Sequence, residues 1–176
     1  LRACGVNPLQ TREPGGTPAG EALRTLVLNQ PMTSRAETLV MFAARAEHLV
    51  QVIEPALAAG RWVICDRFTD ATYAYQCGGR GLPESDVAAL ERWVHPELQP
   101  DLTFLVDVGP AIAAARLADA RAADRFESEP VEFFSRVRAV YLERAARNPE
   151  RFCVLDGTAP PDEVQAQIAA RVKRWL

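Results

Sequence analysis

The sequence contains almost no lysine and lacks the common phosphate-binding motif that includes one. Lys173 is the only lysine among 20 basic residues, and the phosphate-binding motif G-x-x-x-x-G-K-[ST] is absent. The formal net charge of −3 argues against binding of nucleic acid or anionic membranes through a broad basic surface. No apolar run approaches the roughly 18 residues that a membrane span needs. We therefore expect any bound phosphate to be held by a few placed arginines.

The four cysteines show no spacing typical of a metal site or a disulfide framework. Cys4, Cys65, Cys77 and Cys153 form no C-x-x-C pair, and no histidine pair stands near them. A reducing compartment suits such cysteines, and no signal peptide is visible. The sequence predicts a cytoplasmic protein, and its 176 residues predict one domain.

Short apolar runs alternate with segments of helical periodicity. Nearly continuous apolar runs, typical of parallel strands covered on both faces, occupy 61–65, 102–108 and 151–156. Ser34 followed by Glu37 indicates a capping box that starts a long helix ending near Gly60. Helical spacing recurs at 84–94, 110–121, 131–147 and 161–175. This pattern predicts an α/β fold with a parallel sheet, helices on both faces, and a site beyond the carboxyl ends of the strands.

The segment TREPGGTPAGEALR, residues 11–24, combines a glycine turn with charged side chains. Pro14, Gly15 and Gly16 let the backbone approach a ligand closely before a helix begins. Glu13 precedes the turn, and Arg24 follows it within the predicted helix. A solvated strand-to-helix turn explains the glycines alone, but a ligand site explains the glycines and the charges together.

Phe42 and Arg45 lie three residues apart in the segment LVMFAARAEHLV, so they share one face of a predicted helix. A phenyl ring beside a guanidinium can stack on a base and donate a hydrogen bond to its carbonyl oxygen. The alternative, a buried Phe42 beside an exposed Arg45, is the commoner arrangement for each residue taken singly. The sequence pairs His48 with no nucleophile and no metal ligand, which indicates a surface or packing role.

The segment DRFTDATYAYQCGGRG, residues 66–81, directly follows the predicted strand at 61–65. The predicted strand ends at Asp66, a position that resembles the one where nucleotide kinases hold Mg²⁺ or its water shell. Arg67 can bind a phosphate with its forked guanidinium. Thr72 and Gln76 offer donors and acceptors to a base edge, and Tyr75 can wall a sugar. Each residue alone has an ordinary structural explanation, but their concentration indicates a nucleotide pocket.

The charged, Ala-rich segment 117–130 connects two predicted helices. Arg121 and Arg125 can reach a nucleoside triphosphate if this segment forms a mobile lid. An exposed charged connection is nearly as good an explanation of the segment alone.

The four quoted segments, in this order, closely resemble bacterial thymidylate kinase (dTMP kinase) over essentially the whole chain. TREPGG together with DRF…AYQ-x-GGRG is specific, whereas MFAAR and DRFE alone are weak. The resemblance implies a P-loop kinase-like, three-layer α/β/α fold in a single domain, 1–176, with a lid at 117–130. It implies transfer of the ATP γ-phosphoryl group to dTMP, giving dTDP, with Mg²⁺ assisting. It also implies a homodimer, for which the long helix 34–59 is a natural interface element.

The resemblance assigns the phosphate-handling roles as follows. Arg24 and Arg67 would clamp the phosphate of dTMP and align its oxygen for attack. Arg121 and Arg125 would bring positive charge to the transferring phosphoryl group from the lid. Asp66 would hold Mg²⁺, directly or through water. Phosphoryl transfer needs little more than this positioning and charge stabilisation.

The resemblance also assigns the residues that would hold the nucleoside. Glu13 and Pro14 would line the acceptor pocket, and Tyr75 would crowd the 2′ position and disfavour ribonucleotides. The residues that would contact the base edge are Arg45, Thr72 and Gln76. Relatives place a stacking phenylalanine four residues before the base-reading arginine; here Met41 stands there, and we expect Phe42 to stack instead.

The sequence departs from the family in lacking the N-terminal strand and the glycine-rich phosphate loop. We expect this segment to precede Leu1 in the whole polypeptide, because the acceptor and lid segments are intact. The alternative is a non-catalytic nucleotide-binding domain that has no such loop. The closest alternative of the same fold is another pyrimidine nucleoside monophosphate kinase, since residue types do not separate dUMP from dTMP.

Overall fold

The computed structural model describes residue 1 and the ranges 5–118 and 125–176. The strands are β1 (Leu9–Arg12), β2 (Val63–Asp66), β3 (Thr103–Asp107) and β4 (Phe152–Asp156). The α-helices are α1 (Pro18–Asn29), α2 (Ser34–His48), α3 (Glu54–Ala58), α4 (Thr69–Thr72), α5 (Glu84–Val94), α6 (Pro110–Ala118), α7 (Val131–Arg147) and α8 (Pro161–Val172). None of the described helices is long and apolar enough to cross a bilayer.

The strands pair in parallel, which places their carboxyl ends side by side. β1 pairs with β2, and Arg12 lies opposite Asp66 at the end of the ladder. β3 pairs with β4, and Asp107 lies opposite Asp156. Parallel neighbours need long crossovers, which helices supply between both pairs. The predicted α/β class is confirmed, and the three predicted strands match β2, β3 and β4 within two residues at each end.

The predicted long helix runs from Ser34 to Ala58 and contains one wider turn. α2 passes without a break into a π-helical segment, Leu49–Ile53, and then into α3. Its N-cap is Thr33, whose hydroxyl accepts the amide of Ala36 at 3.3 Å. The predicted capping box is therefore wrong, because Glu37 stands one position too far along to reach back to the cap.

A second π-helical segment, Tyr73–Gly79, continues α4. Its end packs tightly against α7, since a methyl group on Gly79 would lie only 2.4 Å from the ring of Phe133. Arg136 of α7 donates to the carbonyl oxygens of Gly78 and Gly79, at 3.1 and 2.9 Å. These glycines thus permit the close approach of α7, which fixes the π-helical segment in place.

The segment predicted as a lid is described only in part. α6 begins at Pro110, as predicted, and is described as far as Ala118. The range 119–124, and with it Arg121, lies outside the described residues. Arg125 begins a turn that leads towards α7. The lid remains a prediction.

A buried histidine follows α5. The Nδ1 of His95 lies 3.1 Å from the carbonyl oxygen of Leu98, and its Nε2 lies 2.7 Å from Oγ1 of Thr69. Because a carbonyl can only accept, Nδ1 carries the proton and Nε2 accepts from the threonine. Burial lowers the pKa of His95, which favours this neutral ring.

Candidate active site

A cleft opens where the chain leaves the carboxyl ends of β1 and β2. The segments after β1 and within α1 contribute Glu13, Pro14 and Arg24 to its walls. From α2 and the segment after β2 come Arg45, Arg67, Thr72, Tyr75 and Gln76. The structure therefore brings together eight of the residues that the sequence analysis predicted as substrate-binding.

The turn between β1 and α1 is held by its own side chains. The peptide bond between Glu13 and Pro14 is cis, and Arg24 donates to the carbonyl oxygen of Pro14 at 3.0 Å. Glu21 accepts the amide of Gly16 at 3.0 Å, a bond that lowers the pKa of its carboxyl group. Arg24 thus anchors the turn from the cleft side with one nitrogen.

Arg45 is the most constrained cation of the cleft. Its side chain is 3% exposed, its Nε donates to Glu13 at 2.7 Å, and one Nη donates to Thr72 at 3.0 Å. The other nitrogen, Nη1, is buried and has no hydrogen-bond partner among the residues that the structure describes. The guanidinium also lies 5.2 Å from the ring of Phe68. A buried guanidinium nitrogen without an acceptor is costly, so this site fits a ligand that supplies one.

His48 is fully buried and works within this network. Its Nδ1 lies 3.1 Å from a carboxylate oxygen of Glu13, and its Nε2 lies 2.6 Å from the hydroxyl of Thr11. Gly16, with φ of 81°, approaches so closely that a Cβ there would lie 2.5 Å from the imidazole. The predicted surface or packing role is therefore incomplete, because His48 ties the turn after β1 to α2.

The prediction that Phe42 stacks on a base does not match its position. Phe42 is 2% exposed and belongs to a core cluster with Tyr73, Cys77 and Val87. Met41 lines the cleft in its place. Both residues neighbour Arg45 on the helix, four and three positions before it, and the guanidinium lies 4.7 Å from the ring centre of Phe42. The Phe42 ring packs into the core, so Met41 is the one of the two that lines the cleft.

Arg67 adopts a left-handed backbone conformation at the exit of β2. Its φ is 67°, which is unusual for a residue with a side chain. The guanidinium lies 4.9 Å from the ring centre of Tyr75. Asp66, just before it, is exposed and does not line the cleft wall. Strain of this kind is found where a side chain must be aimed at a ligand.

Gln76 is fixed by a buried carboxylate that the sequence analysis treated only as a cap. Its Nε2 donates to Glu37 at 2.9 Å. Glu37 has no exposed surface and also accepts from Arg80 at 3.4 Å and from Arg125 at 2.6 Å. Arg125 donates further to the carbonyl oxygen of Val27 at 3.0 Å. Arg125 thus contacts α1 and α2, and its contact with a phosphate remains a prediction.

Comparison with known proteins agrees with this geometry. The thymidylate kinase family model matches residues 1–168 of the chain. The chain belongs to the thymidylate kinase family. It is 58% identical to the thymidylate kinase of Methylobacillus flagellatus over 168 residues, which cover 96% of this chain and 83% of that protein. It is 57% identical to the thymidylate kinase of Bordetella pertussis over 176 residues, which cover 100% of this chain and 85% of that protein.

A solved thymidylate kinase has a similar fold. The crystal structure of thymidylate kinase from Ehrlichia chaffeensis aligns with a TM-score of 0.77 at 33% identity, covering 95% of this chain and 81% of that one. The predicted thymidylate kinase family and its P-loop kinase-like fold are therefore confirmed.

One group of side chains in this thymidylate kinase family member has a spacing that suits a metal ion. Single ligand atoms of Glu13, His48 and Cys65 lie within 4.8 Å of one another. Glu13 and His48 already bind each other, Arg45 and Thr11. Burial raises the pKa of the Cys65 thiol, which disfavours the thiolate that binds metals. The group therefore suits a hydrogen-bond network better than a metal.

Proposed function

We propose that this chain transfers the γ-phosphoryl group of ATP to dTMP. A phosphate oxygen of dTMP attacks the γ-phosphorus, the bond to the β-phosphate oxygen breaks, and dTDP and ADP are formed. Such a reaction depends on positioning and on charge stabilisation rather than on a covalent nucleophile. The cleft offers fixed cations and base-edge donors and acceptors, and no step needs a reactive side chain.

The single observation that carries the proposal is the unpartnered Nη1 of Arg45. Arg45 cannot swing away to find an acceptor, because Glu13 and Thr72 hold its other nitrogens. A carbonyl oxygen of a pyrimidine base placed in the cleft would satisfy the nitrogen. Thr72 and Gln76 line the same cleft and can contact the neighbouring base edge.

The phosphate of dTMP is proposed to lie with Arg67 and Arg24. Both line the cleft, and a guanidinium can bind a phosphate with two parallel hydrogen bonds. Tyr75 lies against Arg67 and restricts the space beside the sugar, which favours a deoxyribose. This agrees with the roles that the sequence resemblance implied, and the roles remain part of the proposal.

Mg²⁺ is proposed to bind with ATP near Asp66. The carboxylate is exposed at the end of β2, and a single carboxylate with waters and substrate phosphates is the environment that Mg²⁺ prefers. The ion, when bound, would neutralise charge on the phosphates. The role of Arg121 stays a prediction, as does any role of Arg125 beyond its contacts with Glu37 and Val27.

Calorimetric titration tests the acceptor site directly. We expect dTMP to bind more tightly than dUMP, and UMP to bind weakly or not at all. Arg45→Lys keeps the positive charge beside Glu13 but removes the guanidinium nitrogen that would donate to the base. The affinity for dTMP should therefore fall about 10- to 100-fold, for one lost charge-assisted hydrogen bond. Arg92→Lys, at an exposed position on α5, is the matched control. Unchanged dTMP affinity in Arg45→Lys would contradict the proposal.

An ADP-release assay with ATP, Mg²⁺ and dTMP separates an enzyme from a binding domain. ADP production that depends on dTMP supports the kinase. Binding of dTMP without turnover would instead support a non-catalytic nucleotide-binding domain.

A homodimer is also proposed, with the helix from Ser34 to Ala58 at its centre. Leu39, Val50 and Leu57 are apolar side chains along this stretch that are 55%, 65% and 42% exposed, and a partner could cover them. Sedimentation of the wild type should give a dimer at micromolar concentration, and Val50→Glu should give a monomer. Trp93→Glu, at an exposed site on α5, should remain dimeric. A monomeric wild type would remove this proposal.

A cytoplasmic location is proposed on the state of the cysteines. Cys65, Cys77 and Cys153 are free thiols in the described part of the chain, which suits a reducing compartment.

A further inference from the structure

Gln76 has an amide that can present either a donor or an acceptor to the cleft. Which group it presents depends on how the amide is turned, because the oxygen and nitrogen branches are similar in shape. The turn is therefore decided by whatever holds the other branch. In this structure that partner is Glu37.

Glu37 can only accept hydrogen bonds from Gln76. It is buried and forms ion pairs with two guanidinium groups, Arg125 at 2.6 Å and Arg80 at 3.4 Å. A carboxylate has no proton to donate. Gln76 must therefore turn its NH₂ group to Glu37, as the 2.9 Å contact shows, and its Oε1 remains on the other branch as an acceptor.

The cleft then carries a donor and an acceptor with a defined polarity. Arg45 lines the cleft and has a buried Nη1 without a partner in the described part of the chain, which we take as the donor to the base. Gln76 lines the same cleft and has Oε1 as its remaining acceptor. Thymine and uracil present a carbonyl at C4 beside an N–H at N3, which complements this pair. Cytosine presents an amino group at C4 beside an unprotonated N3. Its amino group would face the donor Nη1 of Arg45, and its N3 would face the acceptor Oε1 of Gln76, so neither hydrogen bond could form.

We propose that Glu37 is a specificity-positioning residue: by fixing the amide of Gln76, it makes the cleft select an oxo pyrimidine over an amino pyrimidine. Glu37 acts through Gln76 and does not touch the base. The inference rests on the proposed function, because it takes a pyrimidine nucleotide as the occupant of the cleft. It names the residue that sets the choice among pyrimidines.

The test compares dissociation constants for dTMP and dCMP by calorimetry. For the wild type we expect dTMP to bind at least about 100-fold more tightly, because dCMP leaves two buried polar groups mismatched. In Glu37→Gln, the new amide can donate to Oε1 of Gln76, which lets Gln76 turn its NH₂ group to the cleft. The ratio of the two dissociation constants should then fall at least about 10-fold, the effect of one such hydrogen bond.

Glu129→Gln is the matched control. Glu129 also pairs with Arg80, but no hydrogen bond joins it to Gln76 within the described residues. In Glu129→Gln, the ratio of the dissociation constants for dCMP and dTMP should equal that of the wild type. In a Gln76→Leu background, Glu37→Gln should leave the ratio unchanged, since no amide remains to be turned.

Each other outcome has a defined meaning. Equal weakening of dTMP and dCMP in Glu37→Gln, or an unchanged ratio, would overturn the inference while leaving the proposed function in place. A wild type that binds neither nucleotide would overturn both. If Glu37→Gln does not fold, Glu37→Asp keeps the charge for Arg80 and Arg125 but shortens the reach to Gln76. The ratio should again fall, and an unchanged ratio in a folded Glu37→Asp would overturn the inference.

Discussion

Replacing Arg67 by glycine or by alanine separates what its backbone does from what its side chain does. A left-handed conformation, such as the φ of 67° at Arg67, costs a residue with a Cβ about 1–2 kcal/mol. Glycine avoids this cost but loses about 0.5–1 kcal/mol more chain entropy on folding. Arg67→Gly should therefore be more stable than Arg67→Ala by about 0.5–1 kcal/mol. For a chain of this length, that difference corresponds to about 1–4 °C in Tm.

Both variants also lose the contact between the guanidinium and Tyr75, 4.9 Å apart, which contributes about 0.5–1 kcal/mol at an exposed site. This loss is common to the two variants and cancels in their comparison. Both should lose the proposed phosphate contacts equally. Each charge-assisted hydrogen bond contributes about 1.5–3 kcal/mol, so kcat/KM for dTMP should fall by about 100-fold or more.

Thermal melts and steady-state kinetics of the two variants provide the assay, with Arg92→Ala as a control at an exposed arginine. Equal Tm values for the glycine and alanine variants would refute the argument from backbone strain. Near-normal turnover in either variant would refute the assignment of Arg67 to the phosphate of dTMP. The two results are independent, so one argument can fail without the other.

Two further predictions concern stability. Gly79→Ala should destabilise the protein by about 1–3 kcal/mol in chemical denaturation, because the added methyl group would overlap the ring of Phe133. Gly109→Ala is the control: its methyl group would meet no atom of the described residues within 4 Å, so it should change stability far less, and equal effects would contradict this explanation. The lowered pKa of His95 means that the unfolded chain binds more protons than the folded one below the ordinary value of 6.5. The free energy of unfolding should therefore fall as the pH drops below about 6.5, and His95→Gln should flatten this part of the curve; an unchanged slope in the variant would show that His95 is not its source.

The sequence predicted the architecture well because its signals are local. Continuous apolar runs marked β2, β3 and β4, and the periodic spacing at 131–147 coincides with α7. Parallel pairing then followed from the alternation of strands and helices. It also predicted a site beyond the carboxyl ends of the strands, and the segment after β2 does line the cleft, whereas β1 was not among the predicted strands.

The sequence was less informative about partners that lie far apart along the chain. Glu37 and His48 were explained by local rules, as a cap and as a packing residue, yet they bind Gln76 and Glu13 across 39 and 35 positions. One signal was present: Glu37, Met41, Arg45 and His48 follow each other at spacings of four, four and three. That spacing makes one helical stripe, and polar groups along it beside a candidate base-binding arginine indicate a buried network.

The π-helical segment Tyr73–Gly79 has a consequence for how this protein tolerates insertions and deletions. Its hydrogen bonds reach five residues back, and Ala71, Thr72, Tyr75 and Gln76 all face the cleft, at separations of four and five. Deleting one residue from the segment would return it to the i→i−4 hydrogen bonding of a regular α-helix. It would also leave one residue fewer to share between the cleft, which Tyr75 and Gln76 line, and α7, which contacts Gly78 and Gly79. The number of residues between Thr72 and Arg80 is therefore under stronger constraint than the identity of several of them. A length change here should be rarer among functional variants than a substitution.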